Sequence, residues 1–182
     1  MFMYFVAIVL PEHLNRQVLV FKKYMLEKHG CRVGLKSPAH ITIIPPFWMD
    51  ELHEPILVTD TAAVSSRFAP FEIATANFAC FRPRTIFIDV RKNSMLDALK
   101  AAADDVFHQR ELYGISPEDR PFRPHITIAT RDLPKHGFAA SWPYFAEKIF
   151  EESWTAEGLS ILRHNRKEWE VLVHAPFAQE NL

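Results

Sequence analysis

His40-Ile-Thr-Ile43 and His125-Ile-Thr-Ile128 are the same four residues, written twice in a chain of 182. Each copy follows a proline closely, Pro38 in the first and Pro124 in the second. The run is β-branched apart from its histidine and reads as a strand. Side chains of a strand alternate between its two faces. His40 and Thr42 therefore share one face while Ile41 and Ile43 share the other, and the same holds for His125 and Thr127 against Ile126 and Ile128. The isoleucine face belongs in a core. The first run is expected to stop at Pro45-Pro46, which cannot donate to a ladder.

The flanking sequence repeats as well. Phe2–Leu10 reads as a strand buried on both faces, and Pro11 opens a helix whose apolar face runs through Leu14, Val18, Phe21 and Met25 up to Gly30. Residues 51–66 read as helix, and Phe71–Phe81 and Thr85–Arg91 as strands joined across Arg82-Pro83-Arg84. Asn93 or Ser94 caps a helix through Leu96, Leu99, Ala103 and Phe107. The second copy is followed by a helix around 138–152 and strands near 155–163 and 168–175, joined across Asn165-Arg166-Lys167. Each half thus runs helix, His-Ile-Thr-Ile strand, helix, strand pair. The step from His40 to Phe71 is 31 residues, and that from His125 to Trp154 is 29. Two units so alike predict an α+β chain built as a pseudo-twofold duplicate. Two antiparallel-rich sheets would face a central cleft, with helices outside, in one bilobal domain over 1–182.

Composition narrows the function. Lys+Arg 21 against Asp+Glu 22 gives a net charge of -1, which excludes a generic nucleic-acid coat protein. Any nucleic acid would be read in a local site. Hydrophobic residues make up 48%, enough for an ordinary core. Cys31 and Cys80 form no C-x-x-C pair and read as reduced thiols, which places the protein in the cytoplasm. The apolar run Met1–Leu10 is about half of what crosses a bilayer, and it lacks the basic start of a leader. No membrane association is expected, and the chain is expected to be a monomer.

Two His/Thr faces meeting in one cleft would set two imidazoles and two hydroxyls around a shared centre. One imidazole can take a proton from a nucleophile while the other gives one to a leaving group. Hydroxyls beside them can donate to non-bridging phosphate oxygens, where charge gathers during displacement. A single His-x-Thr is most simply a strand histidine, but a strand core does not require histidine at two equivalent places. A metal site is the other possibility. Neither tetrapeptide carries a cysteine or carboxylate, and threonine is a poor ligand, so neither a metal nor a cofactor is expected.

Paired His-x-Thr-hydrophobic motifs in a bilobal α+β chain of this length resemble the 2H phosphoesterase superfamily, which includes 2′-5′ RNA ligase-like and cyclic phosphodiesterase proteins. The opening Tyr4-Phe-Val-Ala-Ile-Val-Leu-Pro-Glu12 is similar to that branch's first strand and turn, and Phe122-Arg-Pro-His-Ile-Thr-Ile-Ala129 to its second motif. The resemblance implies that His40 and His125 are the catalytic pair and that Thr42 and Thr127 hold phosphate oxygens. It also implies metal-free action on 2′,3′-cyclic or 2′-5′ phosphodiesters of RNA ends or small nucleotides. The sequence departs from the family where an arginine should directly follow the second motif. Thr130 stands there and the arginine is Arg131, a shift that on a continuing strand flips the side chain.

Four further residues are candidate substrate contacts. Lys36 lies four residues before His40 and Arg123 two before His125, so each motif has a cation near it, as Arg131 is near the second. Phe47, after the two prolines, could stack on a base or pack against the neighbouring helix. The basic hairpins around Arg82, Arg84, Arg163, Arg166 and Lys167 read either as solvated strand edges or as contacts for an RNA chain. The competing function is a catalytically idle nucleotide- or RNA-binding module on the same fold, which degenerate motifs would favour; both motifs are complete.

Overall fold

The structure, a computed structural model, describes residues 1–179 of the chain. Eight strands and four helices follow in order: β1 (Phe2–Val9), α1 (Glu12–His29), β2 (His40–Met49), α2 (Glu54–Ser65), β3 (Phe71–Phe81), β4 (Thr85–Val90), α3 (Ser94–His108), β5 (His125–Ala129), α4 (Lys135–Ala146), β6 (Ser153–Ala156), β7 (Gly158–His164) and β8 (Trp169–Pro176). They form two four-stranded sheets, β2-β1-β7-β8 and β5-β4-β3-β6, antiparallel at every pairing. The expected α+β class is the observed one.

The His-Ile-Thr-Ile strands, β2 and β5, are the edges of their two sheets, and those edges lie against each other at the seam between lobes. The lobes are not the two halves of the sequence. β1 and β2 form the first sheet with β7 and β8, so the chain's two ends share a lobe, and the second sheet is the stretch between. By position in its sheet β4 corresponds to β1, and β3 to β7. The repeat is therefore β-α-β-α-β with each last strand crossing to the other lobe, and the β3–β4 hairpin straddles the repeat boundary. The helices cross too. α1 links β1 to β2 but packs beside β5, with Phe21 edge-on to Phe78 of β3 at 4.9 Å. α3 links β4 to β5 but packs beside β2, with Phe107 near Phe47 at 6.3 Å between ring centres. One continuous hydrophobic cluster runs through both lobes.

Three local expectations are corrected. β2 does not stop at Pro45-Pro46 but continues to Met49. Val6 pairs with Ile44 and Tyr4 with Phe47, so Phe5 alone opposes both prolines. That bulge on an edge strand is where missing N–H groups are tolerated. The strand expected near 155–163 is two strands in different sheets, β6 and β7, parted at Glu157. Gly158 permits the switch, since a Cβ there would come within 2.3 Å of the Ala175 carbonyl oxygen. α4 starts and ends earlier than 138–152, at Lys135 and Ala146.

Candidate active site

Register decides what each motif faces. His40 pairs with Val9 and Thr42 with Ala7 on β1; His125 pairs with Asp89 and Thr127 with Phe87 on β4. Ile41, Ile43, Ile126 and Ile128 are all buried in the main core. The opposite face of the first sheet carries a small separate cluster of Phe5, Ala7 and Leu162, flanked by Val9 and Trp169. That cluster floors the cleft beside His40.

The two histidines are held alike. Nδ1 of His40 lies 2.7 Å from the Pro38 carbonyl oxygen, and Nδ1 of His125 lies 2.7 Å from that of Arg123. A carbonyl only accepts, so Nδ1–H donates in both and Nε2 is left without a proton in the neutral ring. Each imidazole thus carries its lone pair on the edge turned away from its own chain. The threonines are equally uncommitted. Thr59, Thr61 and Thr75 turn their hydroxyls back onto main-chain carbonyls; among the described residues Thr42 and Thr127 have no such partner. Two bases and two hydroxyl donors, all half-buried, line adjoining strand edges.

Proton affinity is low at both rings. Burial pushes His40 down to about 4, helped by the charges of Lys22 and His125 and opposed by the Pro38 hydrogen bond. Burial also lowers His125, where the Arg123 guanidinium lowers further and the Asp89 carboxylate raises. The strands that carry the two imidazoles, β2 and β5, lie against each other. Each imidazole also rests on aromatic carbon. The His40 ring lies 4.8 Å from Phe5, which stands edge-on to Trp169 at 4.6 Å. His125 lies 4.9 Å from Phe87 and 5.2 Å from Phe81.

The remaining candidates are scattered. Lys36 is exposed, at the mouth of a cavity of about 280 Å³ that Lys22, Ser37, Pro38 and Trp169 also line. Arg123 is exposed and lies over Phe81 and Phe87 at 5.1 and 5.2 Å, with Asp89 3.5 Å from its guanidinium. Arg131 is exposed in the turn after β5, beyond the strand, while Thr130 hydrogen-bonds Thr85 at 3.2 Å. Phe47 is corrected: it is 5% exposed and packs with Tyr4, Phe107 and Tyr113 on the core side, unable to meet a base. Two one-residue bulges lie between Thr42 and Phe47 and cancel, so Phe47 stands on the core side with Ile41 and Ile43. Arg163 is likewise no free hairpin cation, being paired with Glu54 and Glu170 at 3.0 Å each. Sequence reasoning passed over Lys22, Asp89, Phe81 and Trp169. Only Lys22 left a signal, a charged residue four after Val18 on a buried helical stripe. Among the described residues, no group of three or more His, Cys, Asp or Glu side chains could hold a metal ion.

The sequence matches the 2′-5′ RNA ligase superfamily over residues 10–168. It is 27% identical over 173 residues to the RNA 2′,3′-cyclic phosphodiesterase of Bacillus subtilis (strain 168), covering 88% of this chain and 86% of that one. A 30% identity over 138 residues relates it to a Geobacillus stearothermophilus protein of the same name, of which the match spans 41%. Among solved structures, Escherichia coli LigT complexed with 3′-AMP superposes with a TM-score of 0.68 at 16% identity, covering 98% of this chain and 99% of that one. That likeness concerns the fold.

Proposed function

The chain belongs to the 2′-5′ RNA ligase superfamily, and on that premise we propose that it is a phosphodiesterase of the two-histidine type, opening 2′,3′-cyclic phosphodiesters at RNA ends or on small nucleotides. The observation that carries this reading is the matched pair of locked imidazoles, each presenting a bare Nε2 beside an unspent threonine hydroxyl. In the reaction, Nε2 of one histidine takes a proton from water as the water oxygen bonds to phosphorus. The bond from phosphorus to one ribose oxygen breaks, and Nε2–H of the other histidine protonates that oxygen. Thr42 and Thr127 donate to the non-bridging oxygens, where negative charge gathers. One ring must begin neutral and the other protonated, so rate against pH is bell-shaped. A bound phosphate anion raises the low proton affinity of both rings and supplies the protonated partner.

The same acid–base pair runs in reverse, so 2′-5′ joining is chemically open to this centre; the abundance of water favours hydrolysis. None of these steps requires a metal ion. Lys36 and Arg123 would hold the phosphate or the next nucleotide, and Arg131, beyond the strand, would reach only a longer chain. An idle binding module is less well supported, because both motifs are intact. We take the working unit to be a single bilobal domain, consistent with the one core that joins the sheets, and monomeric. Among the described residues no helix is long and apolar enough to cross a membrane. A cytoplasmic setting fits the two unpaired cysteines.

The test is a panel of nucleoside 2′,3′-cyclic phosphates, 2′-5′ oligonucleotides and cyclic sugar phosphates, each assayed with excess chelator. Turnover of the nucleoside cyclic phosphates is expected. Inactivity on all three classes, or activity that vanishes with chelator and returns with one divalent ion, refutes the reading.

A further inference from the structure

Lys22 sits on the α1 stripe formed by Leu14, Val18 and Met25, and it is 4% exposed. A buried ammonium normally faces a carboxylate. Here, among the described residues, its hydrogen-bond partner is a single carbonyl, that of Ser37 at 3.0 Å. Burial alone pushes its pKa down to about 8, which still leaves it charged at neutral pH. A charge kept in such a place at such cost marks a function rather than packing.

What Lys22 grips is the loop that sets His40. Ser37 immediately precedes Pro38, whose carbonyl fixes the His40 tautomer. The next residue is pinned from the same helix, with Asn15 Oδ1 accepting from the Ala39 N–H at 2.8 Å. Leu10 closes the other side by donating to the Ala39 carbonyl at 3.0 Å. The charge of Lys22 also reaches His40 and disfavours a second positive charge there. Among the described residues, the other charged or titratable groups around His40 are His125 on β5 and, at the rim of the adjoining cavity, Lys36 and Glu168. The neighbouring strand offers only Val9 and Phe5. Among the described residues no carboxylate lies within ion-pair distance of Lys22; Glu168 only lines the same cavity.

We propose that Lys22 is a positioning residue for the catalytic centre. Its ammonium group holds the Ser37 carbonyl, and with it the Pro38 turn whose own carbonyl orients His40, and sets a positive charge near that imidazole. The inference rests on the two-histidine reading of the cleft. Lys22 touches no substrate in this role; it acts through His40 alone.

The experiment follows the His40 ring resonances by NMR against pH in the full chain, without substrate. In the parent protein the His40 signal should show a second inflection near pH 8, as Lys22 loses its proton. Lys22→Met removes donor and charge, and should raise the His40 titration by about one pH unit. It should also lower kcat/KM at neutral pH by about tenfold, through a misaligned ring. Lys22→Gln removes the charge but keeps an N–H donor, so it should raise the titration equally while losing less activity. A His40 titration unmoved in either folded variant overturns the proposal, because a lysine that merely packs would cost stability and leave the imidazole alone. If Lys22→Met does not fold, Lys22→Gln and the parent inflection decide, and absence of that inflection also counts against the idea. Failure of the parent to hydrolyse any cyclic phosphate would refute the functional reading instead, and would leave these titrations standing.

Discussion

The two His-Ile-Thr-Ile strands share a sequence, a carbonyl lock on Nδ1 and an edge position, yet they are supported in unlike ways. The turn before His40 is gripped from inside the protein by Lys22 and Asn15 of α1. Before His125 the chain runs through an exposed stretch, where Arg123 leans on aromatic rings and Asp89. Alongside, Val9 at the first site corresponds to Asp89 at the second. A four-residue repeat therefore dictates which atoms face the cleft. How readily each takes a proton is set by residues far away in sequence.

If the shared chemistry outweighs the unlike surroundings, both imidazoles are indispensable. His40→Ala and His125→Ala are each expected to lower kcat on the best cyclic phosphate by roughly 10²- to 10⁴-fold, the range for one general acid or base. The double variant should fall little further, since one missing proton carrier already stops the concerted transfer. Circular dichroism should be unchanged in both. Near-parental turnover in either single variant would break the equivalence of the sites and the mechanism with it.

The unlike surroundings should surface in acid stability. His40 titrates at about 4 in the folded protein, against 6.5 for the free side chain. Between those values the unfolded chain binds the extra proton, so stability rises with pH through the window and is lost as pH falls from 6.5 toward 4. The loss from this group is at most about 3 kcal/mol. Urea titrations at pH 7 and pH 4.5 of the parent and of His40→Gln would isolate it. The variant should lose less stability on acidification by about 2 kcal/mol, and equal losses would show that water at the cleft rim already relieves the burial.

Much of this pattern was open to sequence reading, and the omissions have physical causes. Alternation along a strand is local, so the His/Thr face followed at once, as did α1 between Pro11 and Gly30 and a cap for α3 at Asn93 or Ser94, of which Asn93 is the one used. Pairing is not local. Nothing between residues 71 and 91 reveals that β4 opens the second repeat while β3 closes the first. Phe47 was misplaced because the run was expected to end at Pro45-Pro46; β2 continues, its two one-residue bulges cancel, and Phe47 falls on the core face with Ile41 and Ile43. Asp89 shares a face with His125 only through the β4–β5 register, and Lys22 meets His40 only because α1 folds over the loop that precedes it.

The threonines test the likeness of the two copies at finer grain. Thr42 lies beside Ala7 and Thr127 beside the buried ring of Phe87. A hydroxyl that binds ground and transition states equally would change KM alone, whereas one aimed at developing charge lowers kcat. Thr42→Val and Thr127→Val are each expected to lower kcat by about 10- to 10²-fold, roughly 1.4–2.7 kcal/mol. Valine keeps the branched shape, so packing is preserved. Steady-state kinetics on both variants checks this; two fully active proteins would make the threonines strand formers only.

The smallest expected effect separates the sites most directly. Asp89 favours the charged form of His125, and Arg123, paired with that carboxylate at 3.5 Å, disfavours it. Asp89→Asn removes the favourable charge and frees Arg123, so His125 should bind its proton less readily. Arg123→Gln should act in the opposite sense. Because the Arg123–Asp89 pair is half-exposed, each change is worth about 0.2–1 kcal/mol, or roughly a 1.4- to fivefold change in kcat/KM along one limb of the pH profile. The His40 resonance serves as the internal control. It should not move in Asp89→Asn, while the His125 titration falls, and the double variant should return His125 near its parental position. Should both histidines shift together, the field in the cleft is shared, and the unlike neighbours of the two copies do not act on them separately.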